Sequence, residues 1–141
     1  MASIHREARI DAPAEQVWDA VRDVGNIHTR LAPGFVTDTK LEPGARVVTF
    51  GNGMVARELL VDACDESRRL AWSVVGSPAM THHNASLQVF EEPDGSSRAV
   101  WIADLLPHEI APRIAAMIEQ GLATMKQTLE LSVPQSSRRR A

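Results

Sequence analysis

The side chains that could do chemistry in this chain sit singly on otherwise apolar runs. Glu58 interrupts MVARELLV, Asp104 interrupts VWIADLLP, and His82 opens HHNASLQVF. A carboxylate held in an apolar setting has a raised pKa and can serve as a general acid or base near neutrality. A histidine beside it could carry the same proton. The rival account of Glu58 is a solvated carboxylate or an ion pair with Arg46 or Arg57, and Asp104 has the same solvated rival. Other chemistries find no footing. His82 and His83 are adjacent, and strand neighbours diverge to opposite faces, so they cannot share one metal ion. There is no Cys pair, HExxH helix or GxSxG elbow. Gly51-Asn52-Gly53 follows a strand but opens no helix, so it reads as a hairpin turn rather than a phosphate loop. Neither a metal nor a cofactor is expected.

The elements that must position these groups follow from period and punctuation. SIHREARI alternates Ile4, Arg6, Ala8 and Ile10 against His5, Glu7 and Arg9, a first strand. DAPAEQVWDAVRDV changes period: Ala14, Val17, Trp18 and Val21 form one helical face, with Pro13 and Glu15 at its start. NIHTRLAP predicts a second short helix ended by Pro33-Gly34. From Phe35 to Pro107, apolar runs separated by Pro43-Gly44, Gly51-Asn52-Gly53, Asp65-Glu66-Ser67, Ser77-Pro78 and Pro93-Asp94-Gly95 predict six consecutive strands. Short links make them an antiparallel meander. Ile114, Met117, Ile118, Leu122, Met125 and Leu129 then line one face of a long final helix reaching Ser132. Gly121 on that face marks either a close approach of helix and sheet or room for a ligand. The predicted fold is α+β: a curved seven-stranded antiparallel sheet covered by the C-terminal helix, with two short helices between strands one and two.

The totals restrict the function classes. A chain of 141 residues is one domain by length, spanning residues 1–133 with a disordered basic tail at 134–141. Net charge is −3, and Arg138, Arg139 and Arg140 supply three of the 15 basic residues, so the body is more acidic still. A nucleic-acid partner would call for the opposite balance. Cys64 is the one cysteine, so no internal disulfide can form. The start, MASIHREARIDAP, lacks the apolar stretch of a signal peptide, and no run approaches the roughly 20 residues that span a bilayer. A cytoplasmic location without membrane insertion is expected, and a homodimer is left open.

Several segments in the right order resemble the START-like, or Bet v-type, helix-grip superfamily. Within it they resemble the bacterial polyketide cyclase/dehydrase and lipid-transport group. They are IDAPAEQVWDAVRDVGNI, LEPGARVVTF, ARELLVDACDESRRLAWSVVG, DGSSRAVW and the Gly-bearing final helix, over residues 3–132. The resemblance implies a cavity between sheet and last helix that holds a polyketide, lipid or isoprenoid-like molecule. It implies a lining that includes Met54, Ala56, Trp72, Val74 and Trp101 from the sheet, with Met117, Gly121 and Met125 from the helix. SRRLAWSVVGSPAMTHHNAS also resembles plant abscisic-acid receptors, placing GNGMVA at a gate and GSPAMTHHN at a latch. The chain has no tyrosine and no Leu-Pro gate, so the receptor role does not carry over. On the HHNASLQV strand, plain alternation turns His83, Ala85, Leu87 and Val89 inward. The receptor comparison instead turns His82, Asn84 and Ser86 inward, and we expect the latter. Three functions follow: a binding protein, an acid–base cyclase or dehydratase using Glu58, Asp104 or His82, and an interaction module like the heat-shock ATPase activators.

Overall fold

A computed structural model describes residues 2–132. Seven strands form one sheet: β1 (Ala2–Ile10), β2 (Val36–Glu42), β3 (Ala45–Phe50), β4 (Val55–Cys64), β5 (Arg69–Val75), β6 (His82–Glu91) and β7 (Ser97–Leu106). The order is β1-β7-β6-β5-β4-β3-β2, so six strands meander and β1 closes the far edge against β7. Every pairing is antiparallel. Register shifts between Val36 and Asp38 on β2 and between Leu60 and Asp62 on β4 add local bend. This is the predicted helix-grip architecture, with strand limits displaced by a residue or two.

Helix α1 (Ala14–Arg22) follows Pro13 and buries Ala14, Val17, Trp18 and Val21, the stripe its period dictates. Trp18 is core, and its indole Nε1 donates to Asp65 at 2.9 Å. The predicted second helix is a single π-helical turn (Ile27–Leu31) that buries Ile27 and Leu31. Helix α2 (Ala111–Ser132) runs for 22 residues, about 33 Å at 1.5 Å per residue. It buries Ile114, Ile118, Leu122, Met125 and Leu129, packs along β1 and reaches β7 and the π-helical turn.

The C-terminal half of α2 is tied down on several sides. Asp11 N–H donates to Glu130 at 2.8 Å, Lys126 Nζ donates to the Arg9 carbonyl at 2.9 Å, and Gln16 donates to Ser132 at 2.9 Å. Nearer its start, Arg6 reaches Glu119 at 3.4 Å, an exposed pair worth little. No helix among the described residues is long and apolar enough to cross a membrane. The expected basic tail at 134–141, and its boundary after residue 133, lie outside the described residues.

Candidate functional site

Cross-strand partners in a sheet point to the same face. Trp72 on β5 pairs with Ala85 on β6, and Leu87 on β6 pairs with Trp101 on β7. Residues Ala85 and Ala103 are small, which leaves the concave face room for two indoles. Trp72 and Trp101 meet edge to face, with centroids 5.8 Å apart and planes at 69°.

Between this face and α2 lie two narrow chambers of about 60 Å³ each. The deep one is walled by Leu31, Val48, Leu70, Leu87 and Met125, with Arg46 and Glu58 as its charged groups. The outer one is walled by Met54, Ala56, Val74, Met80, His83 and Met117. Phe35, Phe50, Glu58, Trp72 and Trp101 line both, so they form the partition. A third hollow of about 340 Å³ opens on the surface beside them, lined by Phe35, Phe50, Asn52, Met117 and Gln120. Phe35 and Phe50 therefore separate solvent from both chambers. Their rings stand 5.5 Å apart at 76°.

Two glycines seat this aromatic door. Gly51 N–H donates to the Phe35 carbonyl at 2.9 Å, and a Cβ on Gly51 would collide with the Gly34 carbonyl oxygen. A Cβ on Gly121 would lie 3.0 Å from the Phe35 ring and 3.1 Å from that of Trp101. Gly121 thus lets both rings approach the backbone of α2, and it also borders the deep chamber.

Glu58 is buried and not free. Its Oε1 accepts from Arg46 Nε at 2.8 Å, and both side chains are less than a tenth exposed. Arg46 also donates to the Val24 carbonyl at 3.4 Å, and its guanidinium lies 5.4 Å from the Trp72 ring centroid. Burial pushes the Glu58 carboxyl up, opposed by the charge and hydrogen bond of Arg46. Arg57 turns the other way and pairs with Glu42 at 3.0 Å.

The histidine that lines the chamber is His83. This corrects the expectation for His82, Asn84 and Ser86, and the physical reason is register. β6 and β7 pair without interruption from His82↔Leu106 to Glu91↔Ser97, so no bulge resets the alternation. His82 and Asn84 are exposed, and Ser86 is covered by its neighbours, with Asn84 and Ser86 facing a groove on the outer side. Asp104 joins them there, exposed, accepting from Ser3 Oγ. That groove, also lined by Arg69, Gln88, Arg98, Val100 and Ile102, encloses about 580 Å³. Of the three residues predicted to move protons, Glu58 alone borders the chambers.

Burial lowers the His83 pKa, followed by the nearby charge of His82, so the imidazole is neutral at pH 7. Two polar atoms of the outer chamber's wall, His83 Nδ1 and Trp101 Nε1, are buried without a hydrogen-bond partner. Among the described residues, no three His, Cys, Asp or Glu side chains gather as metal ligands would.

Sequence reasoning passed over Phe35 and Phe50, which read only as strand ends beside glycines. For His83 the signal was present: it shares the spacing of Ala85, Leu87 and Val89.

The sequence pattern of the family described as "Polyketide cyclase / dehydrase and lipid transport" matches residues 1–130. The chain belongs to this family. No curated protein matches it. Among solved structures, an uncharacterized protein from Bacillus thuringiensis superposes with a TM-score of 0.82 at 20% identity, over 91% of this chain and 98% of that one. XoxI from Bacillus cereus gives 0.81 at 22% identity, over 95% and 100%. A protein from Thermobifida fusca gives 0.73 at 28% identity, over 92% and 91%. The first two likenesses are likenesses of fold. For a member of the polyketide cyclase/dehydrase and lipid-transport family, the place of interest is the apolar interior between sheet and C-terminal helix, where both chambers lie.

Proposed function

We propose that this protein binds a small, predominantly apolar molecule, such as a polyketide, lipid or isoprenoid-like compound, in the two chambers, admitted past Phe35 and Phe50. The observation that carries this reading is the partitioned interior itself. It is apolar except for a paired Arg46–Glu58, His83 and the indoles of Trp72 and Trp101, the pattern of a ligand site with a few orienting groups. The chambers as they stand are far smaller than the ≈ 300–1,000 Å³ of a site for a drug-sized ligand. Rotation of Phe35 would join the surface hollow to both. Met54, Met80 and Met117 give the outer chamber a wall that adapts to shape.

Native mass spectrometry of the purified protein tests the reading. A small molecule that accompanies the folded chain and is lost on denaturation is the expected result. Fluorescence of the neutral probe N-phenyl-1-naphthylamine should also rise on binding and fall when that molecule is restored. If the protein carries no small molecule and leaves the probe dark, the reading is wrong.

One observation favours a second reading, an acid–base enzyme on the same fold. Glu58 and His83, both displaced from their ordinary pKa values, border one chamber. Turnover that Glu58→Gln abolishes, in a correctly folded variant, would support it over simple binding.

A further inference from the structure

A buried polar atom without a partner is costly, and each one asks for an explanation. Two such atoms, on neighbouring strands, belong to side chains that line the same chamber: Trp101 Nε1 on β7 and His83 Nδ1 on β6. Both atoms are buried from solvent. Two residues of the same types elsewhere are satisfied. Trp18 Nε1 donates to Asp65, and His28 Nδ1 lies 3.2 Å from Thr39 Oγ1. Among the described residues, these are the only buried side-chain nitrogens or oxygens without a partner.

The charges nearby narrow the partner. Arg46 and Glu58 neutralise one another at 2.8 Å, and His83 is neutral. A carboxylate or ammonium entering this space would lose its hydration with no free counter-charge to meet it. An indole N–H can only donate, so its partner must be an acceptor, while a neutral imidazole Nδ1 can donate or accept. Carbonyl and hydroxyl oxygens on an uncharged apolar frame meet both demands.

From this we infer that the ligand is an uncharged ring or chain compound bearing a carbonyl or hydroxyl oxygen, and that Trp101 Nε1 and His83 Nδ1 are the groups that select it over a hydrocarbon of the same shape. The inference rests on the binding function proposed above. Left unpaired, both atoms cost the fold free energy, and a ligand that spreads the chamber walls and supplies an oxygen relieves that cost. A hydrocarbon spreads the walls and relieves nothing.

Indene, 1-indanone and indane-1-carboxylate share one frame and separate the cases. The full chain has three tryptophans, so its ¹⁵N–¹H spectrum shows three indole signals, with Trp18 as an internal reference. The expected result is binding of 1-indanone about tenfold tighter than indene, a single good hydrogen bond's worth. It should come with a downfield move of the Trp101 indole proton that indene does not cause. The carboxylate should bind most weakly. In Trp101→Phe the ketone preference over indene should shrink to threefold or less, and in Trp101→Phe with His83→Leu it should vanish. Equal binding of indene and 1-indanone, or an unmoved Trp101 signal, overturns the selection by these atoms while leaving the apolar cavity in place. Tightest binding by the carboxylate overturns the uncharged class. Failure of all three to bind removes the cavity reading and this inference together. The indole signal is read in the unmodified protein, so the test does not depend on a variant folding.

Discussion

The two faces of the sheet carry hollows of opposite character. The outer groove encloses about 580 Å³, and each inner chamber about 60 Å³. By size alone the outer groove would be the site. Several of its polar groups, however, are already engaged: Arg98 pairs with Glu7 at 3.2 Å and Glu92 at 3.0 Å, Asp104 accepts from Ser3, and Gln88 donates to the Ser67 carbonyl at 3.0 Å. Inside, two polar atoms are buried and unpartnered, and apart from the Arg46–Glu58 pair and the Trp72 indole the walls are otherwise apolar. A solvated groove needs nothing to complete it. A narrow apolar chamber with unmet hydrogen bonds does, and that difference directs attention inward.

The largest effect should come from breaking the inner face's ion pair. Arg46→Ala leaves a buried carboxylate alone and should cost about 3–5 kcal/mol in urea unfolding. Exchange of both partners, Arg46→Met with Glu58→Leu, should recover most of that, because a buried pair replaced by apolar groups is often neutral or better. A double variant as unstable as the single one would show the pair doing more than cancelling its own burial. Phe35→Ala comes next. A partly buried ring should cost less than the roughly 3–5 kcal/mol of a fully buried Phe→Ala, about 1–2 kcal/mol. Stopped-flow mixing with N-phenyl-1-naphthylamine should show faster binding. Phe90→Ala on the outer face should leave that rate unchanged.

The histidine pair sharpens the contrast through pH. His83 has a folded pKa below its ordinary 6.5, owing first to burial. The unfolded chain therefore takes up the proton first as pH falls. Stability is full above about 6.5 and declines as pH drops toward the folded value, by at most about 1.4 kcal/mol per pH unit. His83→Leu should remove that decline in a series of unfolding curves, and His82→Ala should keep it. The smallest effects belong outside: His82→Ala and Asp104→Asn should each stay within about 0.5 kcal/mol of the parent and leave probe affinity unaltered.

Element order, sheet topology and the final helix were legible in the sequence because they rest on period and punctuation. Alternation marked β6, the spacing from Ile114 to Leu129 marked α2, and paired Gly, Pro and Asp residues marked the turns. Trp72, Val74, Met117 and Met125 were expected as lining from the family resemblance, and they border the chambers. The receptor-like segment points to the His82 face and plain alternation to His83, and the unbroken β6–β7 register follows alternation. The partition was not legible. It depends on Phe35, Phe50 and Gly121, which are far apart in sequence and meet only when the π-helical turn, the β3–β4 hairpin and α2 close on one another. The choice of Arg46 over Arg57 as the partner of Glu58 likewise follows from which arginine the pleat turns inward.

A methyl-labelled spectrum recorded during titration with N-phenyl-1-naphthylamine puts the two faces in direct competition. Met80 and Met117 border the outer chamber on the inner face, and Ile102 lies in the groove on the other. The account requires ring-current shifts at the Met80 and Met117 methyls, with Ile102 unmoved. Shifts at Ile102 with the two methionines unmoved would place the ligand on the outer face and contradict it.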